Sequence, residues 1–190
     1  MNLISKVNVY GLLESIEASK YPMSVDVESC NDEITPRVKA LGKCDVGTAH
    51  DQFLTGIIVQ FNLNFTIKAW TEAERYHFLD FVSSQSTMHR ITKFDVSKQC
   101  IKYVRPKAIE NLKECIADYN ADPTPEKYLE VVYNAPVGLQ LTARMTTNYR
   151  QLKTIYHQRK NHRLPEWREF CEWVESLPKF KELVLDDSRS

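Results

Sequence analysis

The stretch TTNYRQLKTIYHQRKNHR, residues 146–163, carries the densest polar chemistry of the chain and repeats apolar side chains at helical spacing. Its apolar positions are Tyr149, Leu152, Ile155 and Tyr156. They predict a helix from about residue 147 to residue 161 with one face against a core. Thr146 or Thr147 is expected to cap this helix, because a threonine oxygen can accept a hydrogen bond from a free backbone N–H.

Two polar sets lie on the other faces of the predicted helix. Asn148 and Arg159 are eleven residues apart, so they share a side and are separated by about 16 Å of helical rise. A flat ligand of dinucleotide length could contact both. The second set is a basic stripe formed by Arg150, Lys153, His157 and Lys160. Its ordinary interpretation is a solvated face that complements the helix dipole, and the alternative is a binding surface.

The clearest strand is residues 57–65, in which Val59, Phe61, Leu63 and Phe65 alternate with Gln60, Asn62 and Asn64. This alternation predicts a strand with one buried face. Shorter alternating runs predict strands at residues 7–10 and 139–145. Helical patterns cover residues 12–20, residues 37–43 behind a Thr35 cap, residues 67–79, the segment opened by Pro106, and residues 126–133.

A last helix is predicted to open at Pro165. Its inward positions are Trp167, Phe170, Cys171, Val174 and Leu177, and the glutamates expected to face solvent are Glu166, Glu169, Glu172 and Glu175. Residues 83–90 are interpreted as a polar loop and residues 93–104 as irregular. The tail at residues 185–190 is expected to fray.

Length and composition indicate one globular domain, which we assign to residues 1–190, with 43% hydrophobic and 26% charged residues. The formal net charge is zero, so no general attraction to nucleic acid is expected. The five cysteines have no metal-ligand spacing, and no metal site is predicted. No segment resembles a signal peptide or a membrane span, so a cytoplasmic protein with reduced thiols is expected.

Two further segments could carry chemistry. Residues 83–90 combine hydroxyls, an amide and two basic side chains, which suit a phosphate or the edge of a heterocycle. His50 lies between a turn of small residues and the clear strand. Each also has a structural interpretation, as a polar loop and as a hydrogen-bonding residue at a helix start. The sequence contains no glycine-rich phosphate loop and no HExxH motif.

The order of these segments resembles the flavin-dependent thymidylate synthase family. That family has a histidine-led turn, a strand, a helix with Arg-His-Arg followed seven residues later by serine, and a later helix with Asn-x-Arg and a second arginine. The chain supplies, in that order, His50, residues 57–65, Arg75, Ser83-Ser84-Gln85-Ser86, Pro136, Asn148-Tyr149-Arg150 and Arg159. The resemblance covers about residues 47–177.

The resemblance implies an α+β fold in which an antiparallel sheet is flanked by helices. It implies FAD as cofactor, dUMP as the nucleotide that is methylated to dTMP, and a homotetramer with sites between subunits. Reduced flavin delivers the hydride in this family and arginines hold the nucleotide, so no protein nucleophile is needed and no catalytic residue is assigned. The implied cofactor-binding residues are His50, Arg75, His77, Asn148 and Arg150. The implied substrate-binding residues are Gln85, Ser86, Arg90, Arg144 and Arg159.

The chain departs from the family pattern at the Arg-His-Arg motif. Without a gap, the motif falls on Arg75-Tyr76-His77 with Gln85 in the serine position; with one inserted residue, it falls on Tyr76-His77-Phe78 with Ser86. The family's strand arginine falls on Thr142, and Arg144 follows on the same strand face. The chain also resembles small phage proteins. The alternative function is therefore a non-catalytic protein of the same fold that binds a nucleotide or a host protein.

Overall fold

The computed structural model describes residues 2–45 and 47–185. Within these residues, four antiparallel strands form one sheet in the order β1-β2-β4-β3. The strands are β1 (Ile4–Tyr10), β2 (Ile58–Thr66), β3 (Asp80–Ser84) and β4 (Gln140–Asn148). The helices are α1 (Leu12–Ala18), α2 (Pro36–Lys43), α3 (Ile67–Ala73), α4 (Thr87–Arg90), α5 (Val96–Gln99), α6 (Pro106–Ala121), α7 (Pro125–Tyr133), α8 (Tyr149–Arg159), α9 (Pro165–Ser176) and α10 (Phe180–Val184). The predicted α+β fold, an antiparallel sheet flanked by helices, is confirmed.

The main core lies against one face of the central strands. β2 and β4 pair without interruption from Ile58 opposite Asn148 to Thr66 opposite Gln140. The alternating apolar residues of β2 that the sequence singled out are all fully buried, and they pack with Trp167 and Phe170 of α9. Each large apolar side chain removed from water contributes about 1.5–3 kcal/mol, so this face supplies much of the folding free energy.

A second, smaller core joins α5, α6 and α7 to the start of β4. Its buried residues are Ile91, Val96, Leu112, Val131 and Leu139. An isolated bridge between Cys100 and Leu139 ties this cluster to the sheet. The helices predicted behind Pro106 and at residues 126–133 are thereby confirmed.

The sequence prediction was wrong between residues 67 and 84. The helix expected to reach residue 79 ends at Ala73, and part of the expected polar loop is the edge strand β3. Tyr76 and Leu79 are buried in the core from a turn rather than from a helix. All five residues of β3 are exposed, so this strand lacks the one-sided apolar alternation by which strands are recognised.

Two smaller corrections concern residues 93–104 and Glu166. The irregular stretch at residues 93–104 contains α5, which is capped by the Asp95 side chain. Glu166 was expected to face solvent but is only 5% exposed, because its carboxylate accepts a hydrogen bond from Thr66 inside the protein. All the predicted inward positions of the last helix are buried as expected, and Thr35 caps α2 as expected. Residues 186–190 of the expected frayed tail lie outside the described residues.

Candidate functional site

The junction between β4 and α8 positions the polar groups of the opening stretch. Asn148 is both the last residue of β4 and the N-cap of α8, and its Oδ1 accepts a hydrogen bond from Gln151 N at 2.9 Å. The predicted caps Thr146 and Thr147 lie in the strand instead. The Thr147 hydroxyl donates to the Phe78 carbonyl at 2.6 Å and so fixes the turn after α3 against this junction.

A buried charge cluster lies beside the first turn of α8. The Asp51 carboxylate, 1% exposed, accepts from Arg150 Nε and from Lys153 Nζ, each at 2.9 Å. Lys153 Nζ also donates to the carbonyls of Gly42 and Cys44. The interpretation of Lys153 as a solvated residue of the basic stripe was therefore wrong, because three polar groups compensate its removal from water.

A cavity of about 430 Å³ opens over this cluster. It is lined by Gly47, Asp51, Gln52, Thr55, Phe78, Asn148, Arg150, Gln151 and Thr154. We call it the Asp51 cavity. Its volume lies within the range of small-molecule sites. Arg150, Lys153 and Asp51 together carry one positive charge, so the cluster favours an anionic ligand.

The structure places two of the five predicted cofactor residues on the Asp51 cavity. Asn148 and Arg150 line it. His50 and His77 are exposed and adjoin the lining residues Asp51 and Phe78 in the chain. Arg75 is exposed in the same turn as His77.

The C-terminal end of α8 holds Arg159 in contacts within the protein. Arg159 Nε donates to the Tyr76 hydroxyl at 2.7 Å, and a terminal nitrogen donates to Glu72 Oε2 at 2.9 Å. The guanidinium lies over the rings of Trp167 and Tyr76. A phosphate at Arg159 would therefore compete with the Glu72 carboxylate for the same guanidinium.

Glu72 and His162 complete this arrangement. Burial alone would raise the pKa of Glu72, but the hydrogen bond from Lys68 and the nearby cationic groups lower it overall. His162 Nδ1 accepts from the backbone N–H of Leu164, and its Nε2 lies 2.9 Å from Arg159 Nη1. The same His162 Nε2 lies 3.2 Å from Glu72 Oε2.

Protonation of His162 is expected to destabilise the fold. Burial lowers the pKa of His162 below its usual 6.5, Glu72 opposes this shift and Arg159 adds to it. A lowered pKa means that the unfolded chain binds the proton more readily, so stability is complete above about pH 6.5 and falls as the pH decreases below it. Urea midpoints at pH 7.5, 6.5 and 5.5 measure this slope, which His162→Asn should flatten.

The matched control is His89→Asn, since His89 is exposed at the end of α4. It should keep the slope of the unmodified protein. An unchanged slope in His162→Asn would contradict the assignment of this pH dependence to His162.

Of the predicted substrate residues other than Arg159, Gln85 and Arg144 lie at or in β4, and Ser86 and Arg90 lie at the two ends of α4. Gln85 extends β3, since its N–H donates to the Thr142 carbonyl and its Oε1 accepts from the Thr142 N–H at 2.8 Å. Ser86 is the N-cap residue of α4, and Arg90 is exposed at the end of that helix. Arg144 is two residues from Thr142 on the same face of β4.

Arg144 is surrounded by neutral oxygens. Its guanidinium donates to the Lys6 carbonyl at 2.6 Å and to the side chains of Asn8, Gln60 and Asn62 at 3.3–3.5 Å. Within residues 2–45 and 47–185, no carboxylate forms an ion pair with it. Its positive charge is therefore held in position and remains available to an anion.

Sequence reasoning missed the partners that orient the arginines. Asp51 and Gln52 hold Arg150, while Glu72 and Tyr76 hold Arg159. Only the alternation of Gln60 and Asn62 along β2 marked the polar face around Arg144 in advance. Among the described residues, no group of histidine, cysteine and carboxylate side chains could hold a metal ion.

Comparisons with known proteins find similar structures but no matching family or curated sequence. No protein-family model matches the sequence, and no curated protein matches it. A flavin-dependent thymidylate synthase of Helicobacter pylori, solved in complex with FAD and dUMP, superposes with a TM-score of 0.74 at 12% identity, over 98% of this chain and 100% of that one. A second structure of thymidylate synthase X from the same organism, also with FAD and dUMP, superposes with a TM-score of 0.74 at 12% identity. The superposition covers 96% of this chain and 98% of that one.

No helix in the described part of the chain is both long enough and apolar enough to cross a membrane.

Both superpositions extend over nearly the whole of this chain and of its structural neighbours. The chain therefore has the fold of the flavin-dependent thymidylate synthases.

Proposed function

We propose that this chain binds FAD and a pyrimidine nucleotide, and that it methylates dUMP to dTMP in the cytoplasm. The observation that carries the proposal is the fold shared with proteins solved with FAD and dUMP, combined with the placement of Asn148 and Arg150 on one cavity. The residues of that cavity suit a flavin dinucleotide in charge and hydrogen bonding, as follows.

The Asp51 cavity would receive one end of the dinucleotide. The oxygen of Asn148 is occupied by the helix cap, so its amide nitrogen is the group left to donate to a ligand. Arg150 would face the diphosphate, and Asp51 and Gln52 hold its guanidinium in place. The exposed residues His50, Arg75 and His77 are assigned to the same ligand.

The remainder of the dinucleotide would follow α8. Gln151 and Thr154 line the Asp51 cavity, and the later residues His157, Gln158 and Asn161 line a neighbouring cavity of about 480 Å³ next to Glu72. A polar helix face thus leads from Asn148 towards Arg159. When bound and reduced, FAD would supply the hydride for the new methyl group.

The pyrimidine nucleotide is assigned to the polar sheet face. Arg144 would provide a fixed positive charge for an anionic oxygen, and Gln85, Ser86 and Arg90 would supply donors from the segment after β3. Electrostatic stabilisation by groups already held in place needs little reorganisation during the reaction. Arg159 is assigned to the nucleotide phosphate, with displacement of Glu72 on binding.

None of the residues assigned to the nucleotide lines the Asp51 cavity, so we propose that sites are completed between copies in a homotetramer. Light scattering coupled to size-exclusion chromatography measures the mass of the assembly. A mass near four chains supports shared sites. A monomer that still binds both ligands would contradict them.

An absorbance scan of the purified protein tests the function. We expect a flavin spectrum, or its appearance on titration with FAD, and a rise in the unfolding temperature with FAD and with dUMP. A colourless protein that shows no FAD binding in titration would refute the proposal. Binding of both ligands without dTMP formation would instead identify the non-catalytic alternative, including one that engages a host protein.

A further inference from the structure

A larger cavity adjoins the cavity of about 480 Å³ beside Glu72, with which it shares Lys68, Arg163 and Leu164, and lies apart from the Asp51 cavity. It has a volume of about 600 Å³ and is formed by the segments before α6, after α7 and at the start of α9. It shares no lining residue with the Asp51 cavity. Its apolar wall consists of Ile101, Tyr103, Val104, Ala108, Pro136, Val137, Leu164 and Pro165.

The wall of this cavity is held by backbone hydrogen bonds. Ile101 N donates to the Gly138 carbonyl at 3.1 Å, and Lys68 N donates to the Val137 carbonyl at 3.0 Å. A Cβ atom on Gly138 would lie 2.4 Å from Val104 Cγ2, so glycine permits the close approach of the two segments. The cavity is therefore formed before any ligand binds, which lowers the cost of binding.

Two unpaired arginines stand at the cavity. Lys68 pairs with Glu72, and Arg168 donates to two backbone carbonyls. The exposed guanidinium groups of Arg105 and Arg163 have no hydrogen bond or ion pair with another described residue. These two side chains are free to bind a carboxylate or a phosphate.

A buried carboxylate lines the same cavity. Glu166 is 5% exposed, and its Oε1 accepts from the Thr66 hydroxyl at 2.7 Å. Its Oε2 has no hydrogen-bond donor among the described residues. A buried acceptor without a donor costs about 1–3 kcal/mol, and more when it is charged. A ligand with an N–H group could relieve that cost.

We propose that this cavity binds a small organic acid with an apolar body, an N–H donor directed to Glu166 and an anionic group directed to Arg105 and Arg163. An anion without an apolar body would leave the apolar wall in contact with water. A neutral apolar molecule would leave the two arginines unused. The combination of groups selects a ligand that carries all three features.

Indole-3-propionate is a suitable probe, since it combines an indole N–H, a flat apolar ring and a carboxylate. Ligand-observed NMR titration of the full chain measures its Kd. We expect binding that weakens about tenfold for indole-3-propanamide, which lacks the charge, and about tenfold for 1-methylindole-3-propionate, which lacks the N–H. Equal affinity for the amide would overturn the arginine assignment, and equal affinity for the methyl compound would overturn the role of Glu166.

Variants locate the probe. The double variant Arg105→Gln, Arg163→Gln should bind indole-3-propionate about tenfold more weakly and bind the amide with unchanged affinity. Arg37→Gln in α2 serves as the control for an exposed arginine.

Ala108→Trp should block the cavity, and Lys107→Trp places the same ring on the neighbouring exposed residue as its control. Retained binding in Ala108→Trp, or no binding by the unmodified chain at millimolar probe, would refute the proposal. FAD binding by Ala108→Trp is expected to remain normal.

Discussion

Replacement of Lys153 with methionine is expected to lower the free energy of unfolding by about 3–5 kcal/mol, the usual cost of removing one partner from a buried ion pair. Lys153 is 2% exposed and donates to Asp51 and to the carbonyls of Gly42 and Cys44. Methionine fills a similar volume but offers none of these acceptors a donor. Urea denaturation followed by circular dichroism measures the change.

A control variant and a double variant test whether the loss of stability comes from the Asp51–Lys153 pair. Lys107→Met changes an exposed lysine of α6 and should leave the urea midpoint unaltered. Asp51→Asn combined with Lys153→Met should cost less than the sum of the single changes, because both charges of the pair are then absent. Full additivity, or a loss below about 1 kcal/mol for Lys153→Met, would contradict a stabilising Asp51–Lys153 pair.

Replacement of Arg144 with glutamine is expected to weaken binding of dUMP by about ten- to a hundredfold, because one charge-assisted contact contributes about 1.5–3 kcal/mol. The internal partners of Arg144 are neutral oxygens, so glutamine leaves no buried carboxylate without its cation. Isothermal titration calorimetry with dUMP measures the loss. The affinity of Arg144→Lys for dUMP should lie between those of the unmodified protein and Arg144→Gln, since lysine keeps the charge and loses the planar fork.

Arg37→Gln provides the control for removal of an exposed arginine and should bind dUMP normally. A urea midpoint for each variant separates an effect on binding from an effect on folding. If Arg144→Gln binds dUMP with unchanged affinity, the nucleotide does not occupy the polar sheet face. FAD titration of the same variant then shows whether the Asp51 cavity is used independently.

The elements that could be predicted are those whose local pattern coincides with their burial. β2 alternates because one of its faces lies on the core, and α9 repeats its apolar residues because one side packs beneath the sheet. β3 has no such asymmetry, since it is an exposed edge strand whose place depends on pairing with β4. Its existence is therefore a property of the tertiary structure.

The candidate site also contains some residues that local sequence reveals and others that only the folded chain reveals. Asn148, Arg150 and Arg159 were recognisable from their spacing on one helix, which is local information. Their hydrogen-bond partners were not, because Asp51 and Glu72 come from segments roughly ninety to one hundred residues earlier in the chain. Lys153 shows the consequence, since it shares a stripe with Arg150 but is buried by contacts that only the folded chain creates.

The α+β class followed from the resemblance to a known family, while the local pattern of the sequence determined the long helices and the central strand. Periodicity of 2 or 3.6 residues is sufficient for these, because it records which face of each element leaves water. Only the tertiary structure decided which arginines are held by carboxylates, which one faces neutral oxygens, and where the cavities lie. Those properties depend on pairs of residues distant in the chain, and a local pattern carries no information about such pairs.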